Sequence, residues 1–175
     1  WYSFFGKNLV FIKDTSAIEI LMTSQKCKVT HAYAVPLLWD SLAQQLHRKA
    51  ELEGGKMKEL LEKMIDYNTG KISKEEAGIA AKKVARKVVQ KKLLGTKIQY
   101  CISGGGYLAN ETLTTLNGIG YNLYNGFGMT EVGVTSVETS TNVKERLLGS
   151  IGRPLKGIEY KIDFFEGTKT GELLI

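Results

Sequence analysis

The chain has 175 residues, of which 43% are hydrophobic and 24% are charged, a composition that fits one globular domain and excludes a disordered chain. No apolar run reaches the length of a membrane span. The net charge is +6, yet nine basic and two acidic residues fall between positions 71 and 97, so this segment carries +7 and the remainder −1. The charge pattern therefore predicts one local basic face.

The cysteines and histidines leave little room for disulfide or metal chemistry. Cys27 and Cys101 are far apart and lack metal-ligand spacing, so we expect two buried, reduced thiols and a cytoplasmic protein. Of the two histidines, His31 is expected to be a packed or capped core residue rather than a catalyst.

Strands and helices alternate in the first part of the chain. The pattern predicts a strand over residues 9–12, a helix over 17–24 and a second strand over 28–34. The Val35-Pro36 step favours a strand-to-helix turn. Apolar residues four apart predict the helix that follows, which ends at Gly54-Gly55: Leu38, Leu42 and Leu46.

Two further helices are predicted before residue 92. The first is amphipathic, with apolar residues at helical spacing: Met57, Leu60, Leu61, Met64 and Ile65. After a turn at 68–70, Ser73 caps a third helix whose alanines and valines between 77 and 89 form one face, opposite a basic face. That basic face could meet a membrane, coenzyme A phosphates or nucleic acid. We favour a solvated face, because the small side chains are poor membrane anchors and no aromatic residues are interleaved.

The second half of the chain is richer in strands. Predicted strands lie at 98–102, 121–124, 132–137, 158–162 and 172–175, with a helix at 110–116 and a turn around Gly167. This order predicts an α/β fold in which a mainly parallel sheet is flanked by helices, with an antiparallel β element at the C-terminal end.

One octapeptide concentrates residues suited to a nucleotide: Tyr124-Asn125-Gly126-Phe127-Gly128-Met129-Thr130-Glu131. Glycine lets backbone approach a ligand, an aromatic ring can stack on a base, and a hydroxyl can donate to phosphate. A carboxylate can hold Mg²⁺. The alternative is an ordinary strand and loop with one exposed acid, but the specific order of residue types favours a nucleotide site.

A second glycine-rich segment, Ser103-Gly104-Gly105-Gly106, separates a predicted strand from a helix. Ligands bind at such strand ends in α/β sheets, although a tight turn that needs positive φ explains the glycines equally well. The spacing does not match a dinucleotide fingerprint.

Together these segments resemble the adenylate-forming, AMP-binding enzymes, and most of all the long-chain fatty acyl-CoA synthetases. Residues 126–131 are similar to the family's Tyr-Gly-x-Thr-Glu signature, with Phe127 at the tyrosine position. Residues 103–108 resemble its Ser-Gly-Gly-Ala-Pro-Leu loop, with Gly106 and Tyr107 as departures. Residues 148–159 resemble its Gly-Ser-x-Gly-x-Pro stretch, in which Arg153 is expected to be solvated and the turns structural.

The resemblance implies roles for individual residues. Phe127 would stack on adenine, Thr130 would bind the α-phosphate, and Glu131 would hold Mg²⁺, which makes Thr130 and Glu131 the catalytic candidates. The implied nucleotide-binding residues are Gly104, Gly105, Gly106, Asn125, Gly126, Phe127, Gly128, Met129 and Thr130.

In the implied reaction the carboxylate of a fatty acid attacks the α-phosphate of ATP, giving acyl-AMP and pyrophosphate, and the thiol of coenzyme A then attacks the acyl-AMP. ATP or AMP, Mg²⁺ and coenzyme A are the expected small molecules, and no nucleic-acid partner is expected. A peripheral membrane contact is left open, and the sequence says nothing of the oligomeric state. The alternatives are an acyl-acyl-carrier-protein synthetase, another carboxylate-adenylating enzyme, or a non-catalytic acyl- or nucleotide-binding module.

The resemblance also implies a division of the chain. Residues 1–147 would form an α/β adenylation subdomain with a helical insertion at about 50–92, and residues 148–175 would begin a β subdomain. The start at Trp1 without methionine and the strand-like last residues indicate a segment of a longer enzyme, so we expect the segment alone to be inactive.

Overall fold

Helices and strands alternate along residues 6–12 and 14–175, which are the residues that the computed structural model describes. The first half contains α1 (Ala17–Lys26), β1 (His31–Ala34), α2 (Pro36–Leu52), α3 (Gly55–Asn68), α4 (Lys74–Ala77), a 3₁₀ turn (Gly78–Ala81) and α5 (Lys83–Lys91). The second half contains β2 (Tyr100–Ser103), α6 (Asn110–Gly118), β3 (Leu123–Met129), β4 (Gly133–Val137), α7 (Val143–Arg146), β5 (Arg153–Pro154), β6 (Lys161–Phe164) and β7 (Gly171–Leu174).

The main sheet has five strands in the order β1-β2-β3-β4-β5. β1, β2 and β3 are parallel, whereas β4 pairs antiparallel with β3 and β5 antiparallel with β4. β6 and β7 form a separate antiparallel hairpin. The predicted α/β class is confirmed, and the antiparallel strands begin earlier than expected because β4 and β5 extend the parallel sheet itself.

The helices pack on one face of the parallel strands. Cys101 and Leu123, paired across β2 and β3, are fully buried in the core that these helices share with Trp39, Leu42 and Met64. His31 and Tyr100 lie on the other face, where their rings stack with centroids 5.1 Å apart. His31 is exposed, so the expectation of a core histidine is wrong.

The predicted strand over 9–12 does not form. These residues have no strand partner within the described parts of the chain, and a single extended segment cannot satisfy its backbone hydrogen bonds. β1 begins at His31 rather than at residue 28 because Lys28 has a left-handed φ of 52°.

The third predicted helix is broken into three pieces. Ser73 does cap its first turn, with its hydroxyl accepting from the Glu76 amide at 3.2 Å. Gly78 then adopts φ 54° and Lys82 an extended conformation, so α5 begins afresh at Lys83. Val84 of α5 is exposed, contrary to the prediction of one continuous apolar face.

α1, α2, α3 and α6 lie at their predicted positions, whereas the sequence did not predict α7. α2 is the longest at 17 residues. Within the described residues, no helix has the length and apolar character required to cross a membrane.

The two cysteines are free but differ in environment. Cys101 is buried, as expected, and burial raises the pKa of its thiol to about 12. Cys27, at the end of α1, is exposed, so the expectation of two buried thiols is wrong for this residue. In this structure Cys27 is therefore the accessible thiol.

Thiol labelling checks this difference. We expect a disulfide reagent at pH 8 to modify Cys27 rapidly in the native chain and Cys101 only after denaturation, because the thiolate is the nucleophile and the core excludes the reagent. The Cys27→Ser variant should then react slowly until it is unfolded. Rapid native labelling of that variant would contradict the buried position of Cys101.

Candidate functional site

A groove of about 470 Å³ lies where the carboxyl ends of β1 and β2 meet β3 and β4. Ligands of α/β proteins bind at this edge of the sheet. The groove is lined by Tyr33, Ala34, Ile102, Gly104, Gly105, Gly126, Phe127, Gly128, Met129, Thr130, Gly133, Val134 and Val137. It brings together the triple-glycine segment and the octapeptide, which are about twenty residues apart in sequence.

Most of the octapeptide is a strand rather than a loop. β3 continues to Met129, beyond the predicted end at residue 124, and Thr130 and Glu131 form the turn to β4. The Val132 amide donates to the Met129 carbonyl at 3.3 Å, and Gly133 closes the turn with φ 73°. This tight hairpin places Thr130 at the rim of the groove.

Gly128 is required by the packing of two strands. A Cβ atom at Gly128 would lie 2.8 Å from Val134 Cα and closer still to the Gly133 carbonyl oxygen. Both neighbours are backbone atoms and cannot move aside without shifting β4. From the sequence, Gly128 was interpreted as a glycine that lets a ligand approach the backbone. In this structure it is β4 that approaches β3 at Gly128.

The backbone at Phe127 is held by a β-bulge. Phe127 pairs with Ser136 and Gly128 with Val134, so Thr135 is the extra residue of β4. The Thr135 hydroxyl lies 3.2 Å from the Phe127 carbonyl and 2.6 Å from the Tyr160 hydroxyl. Bulges often occur beside active sites, where they re-aim a side chain.

The triple-glycine segment contributes two of its residues to the groove. The Gly104 amide donates to the Ala34 carbonyl at 3.2 Å, and Gly105 has φ 81°. Gly106 lies outside the lining and faces Pro36, whose Cγ would be 3.6 Å from a Cβ there. The segment is thus both a turn that needs positive φ and a wall of the groove.

Asn125 also lies outside the lining, where it links β3 to the segment after α7. Its carbonyl accepts from the Glu138 amide at 2.8 Å, and its side chain donates to the Gly149 carbonyl at 3.3 Å. Asn125 therefore holds the 148–152 segment beside the sheet, a structural contact that the sequence did not predict.

Glu131 is exposed on the hairpin turn, just beyond the residues that line the groove. Among the described residues no group of three or more His, Cys, Asp or Glu side chains could hold a metal ion by itself. Mg²⁺ is commonly bound through one or two carboxylates together with substrate phosphates. A single exposed carboxylate beside the groove therefore fits a metal that arrives with a nucleotide.

Several lining residues were missed from the sequence. Tyr33 and Ala34 end β1, Ile102 belongs to β2, and Val134 and Val137 belong to β4. The Val35-Pro36 step, which marks the end of β1, was the one sequence signal that could have located any of these residues. The others required the strand order and register, which the sequence alone does not supply.

Arg146 is buried beside the octapeptide, with only 5% of its surface exposed. Its Nε donates to Asn117 at 2.9 Å and one terminal nitrogen to the Ser140 carbonyl at 2.8 Å. Its guanidinium also lies 5.2 Å from the ring centroid of Tyr124, the first residue of the octapeptide. Burial lowers the pKa of Arg146, an effect that Tyr124 and Glu138 oppose.

The segment after α7 extends the sheet instead of forming only turns. β5 pairs with β4 through Arg153 and Pro154, and Arg153 is exposed, as expected. Gly152 lies so close to the Val137 carbonyl that no Cβ would fit. These contacts join residues 148–159, the third stretch that resembles the family, to β4, which lines the groove.

Comparison with known proteins identifies the family. The family described as AMP-binding enzyme matches residues 2–175, so the chain belongs to that family. It is 38% identical over 61 residues to the probable acyl-activating enzyme 16, chloroplastic, of Arabidopsis thaliana, a match that covers 35% of this chain and 8% of that protein.

A solved structure shares the fold. A long-chain-fatty-acid-CoA ligase (FadD1) from Archaeoglobus fulgidus superimposes with a TM-score of 0.56 at 16% identity. The match covers 97% of this chain and 27% of the archaeal one, so the chain spans about a quarter of that protein's length. The predicted family and fold class are thereby confirmed.

The steric role of Gly128 predicts the effect of one added methyl group. We expect Gly128→Ala to lower the free energy of unfolding by about 2 kcal/mol or more, because backbone atoms of β4 must shift. Chemical denaturation monitored by circular dichroism would measure the change. Gly55→Ala is the matched control, since open space surrounds Gly55 at the start of α3 and alanine is the better helix former there. Equal stability of the two variants would contradict the close packing at Gly128.

Proposed function

We propose that the chain forms one wall of the acyl-adenylate pocket of an acid–thiol ligase. One observation carries the proposal: β2 and β3 bring Gly104, Gly105, Phe127 and Thr130 around a single groove, in a chain of the AMP-binding enzyme family. The proposed parent enzyme activates a carboxylic acid with ATP and passes the acyl group to a thiol.

The residues of the groove suit the first step, in which the acid attacks the α-phosphate of ATP. Phe127 offers a ring face to adenine, and Thr130 at the rim can donate a hydrogen bond to the phosphate. Negative charge grows on the phosphate oxygens as the bond forms, so positioning and electrostatic stabilisation carry the catalysis. Mg²⁺ held by Glu131 would supply positive charge to those oxygens. The attacking carboxylate needs no general base.

The proposed acid is a fatty acid, and the proposed acceptor is coenzyme A. Ile102, Val134 and Val137 give the groove an apolar side on which an acyl chain can lie. The helical segment between residues 50 and 92, which resembles an insertion of long-chain synthetases, supports a long chain. Fatty-acid-dependent pyrophosphate exchange across chain lengths, with coenzyme A or a carrier protein as acceptor, would test both assignments in the full-length protein.

The carboxylate of Glu131 can be tested directly. In the full-length enzyme we expect Glu131→Gln to lower kcat of acid-dependent pyrophosphate exchange by about a hundredfold, because a charge that acts on the phosphates is removed. Glu166→Gln, an exposed acid in the β6–β7 turn, is the matched control and should retain the wild-type rate. An unchanged rate for Glu131→Gln at saturating Mg²⁺-ATP would exclude the proposed role.

The ring of Phe127 should act through binding of the nucleotide. We expect Phe127→Leu to raise KM for ATP by about tenfold, since the substitution keeps apolar bulk but loses base stacking. Phe165→Leu, at an exposed phenylalanine beyond the groove, controls for the change of residue type. If both variants bind ATP equally well, adenine does not stack on Phe127.

A further inference from the structure

The basic segment between residues 71 and 97 carries exposed aliphatic side chains. Ile79 is 68% exposed, Val84 is 72% exposed and Val88 is 46% exposed. Ala85 and Val89 of the same helix are buried, so α5 packs through those two residues and turns Val84 and Val88 to the solvent. Such exposure of neighbouring aliphatic residues has no packing explanation within the described part of the chain.

Lysines run alongside these valines. Lys83, Lys87 and Lys91 lie four residues apart and form one exposed stripe, and the helical rotation places Val84 and Val88 directly beside it. The solvent-facing arc of α5 is therefore half cationic and half aliphatic. This arrangement differs from a uniformly charged, solvated face.

The charge of the stripe is not neutralised within the described residues. Lys71 and Lys92, at the borders of the segment, form ion pairs with Asp66 and Glu53. None of the three stripe lysines forms an ion pair with a described acid. The surface thus offers uncompensated positive charge to a partner.

The surface lies far from the groove. The Gln90 side chain of α5 donates to the Ile119 carbonyl at 3.1 Å, and the Tyr121 hydroxyl donates to the Gln90 carbonyl at 3.1 Å. These contacts are with residues that precede β3, whereas the groove lies where the parallel strands end. A carrier protein that delivers a thiol must reach the groove, so it would not dock on this surface. A partner that anchors the enzyme, rather than one that delivers a substrate to the groove, fits better.

We propose that the surface formed by Lys83, Val84, Lys87, Val88 and Lys91 docks on an anionic lipid membrane. The lysines attract acidic headgroups, and the aliphatic side chains enter the boundary between headgroups and acyl chains. The aliphatic area is small, so the contact is reversible and depends on charge. The proposal does not depend on the adenylation reaction, because it concerns a different face of the molecule.

Vesicle sedimentation with the full-length protein tests the proposal. We expect binding to phosphatidylcholine vesicles that contain phosphatidylserine and little binding to phosphatidylcholine alone. The triple variant Lys83→Gln, Lys87→Gln, Lys91→Gln should lower partitioning onto the anionic vesicles by about tenfold or more. The double variant Val84→Ser, Val88→Ser should lower it severalfold without any change in charge.

The matched control removes the same charge elsewhere. Lys156, Lys161 and Lys169 are exposed outside the surface, and their triple replacement by glutamine should leave partitioning close to wild type. The corresponding Lys→Arg triple on α5 should also bind, which separates a loss of charge from a loss of folding. Circular dichroism checks that each variant is folded.

Three results would overturn the proposal. One is the absence of binding to anionic vesicles by the wild-type protein. Another is an equal loss of vesicle partitioning in the α5 triple variant and the control triple variant, which would indicate that partitioning responds to net charge alone. The third is binding of an acidic polypeptide such as polyglutamate, sensitive to the α5 triple, without any vesicle binding; that result would assign the surface to an acidic protein.

Discussion

The structure depends on the double pairing of β3. Through residues 123–125 this strand pairs in parallel with β2, and from Gly126 onward it pairs antiparallel with β4. One strand thereby joins the parallel, helix-covered part of the molecule to its antiparallel part. The groove lies where β3 changes its partner. The residues of the octapeptide must therefore both form the backbone hydrogen bonds of the strand and line the groove.

This constraint gives the glycines of the octapeptide a second purpose. At Gly128 the absence of a side chain allows β4 to approach, and the bulge at Thr135 then aligns the hairpin that carries Thr130 and Glu131. Packing between strands and the proposed approach of a nucleotide favour the same residue type at the same position. A ligand role therefore cannot be separated from strand packing at such a glycine by residue type alone.

The two ends of the sheet carry the two proposed functional surfaces. The carboxyl edge carries the groove, in which residues from four strands meet. The amino edge carries α5, whose exposed lysines and valines form the proposed lipid-facing surface. This separation allows a membrane contact and an open groove to coexist, since the strands keep the two surfaces apart.

The sequence by itself determined the family, the α/β class and about half of the residues of the groove. The aromatic, glycine, hydroxyl and carboxylate order of the octapeptide is local information, as are the helical spacing of Leu38, Leu42 and Leu46 and the cap at Ser73. These features depend on neighbours in the chain, and they can be read before the fold is known.

Only the tertiary structure decided the features that depend on distant neighbours. The extension of β3 to Met129 requires β4 as a partner, and the turn of Asn125 away from the groove requires the 148–152 segment. The break at Gly78 likewise turned Val84 from a predicted core residue into a surface one. Strand register and helix rotation are set by packing across the whole chain, so no local pattern could have supplied them.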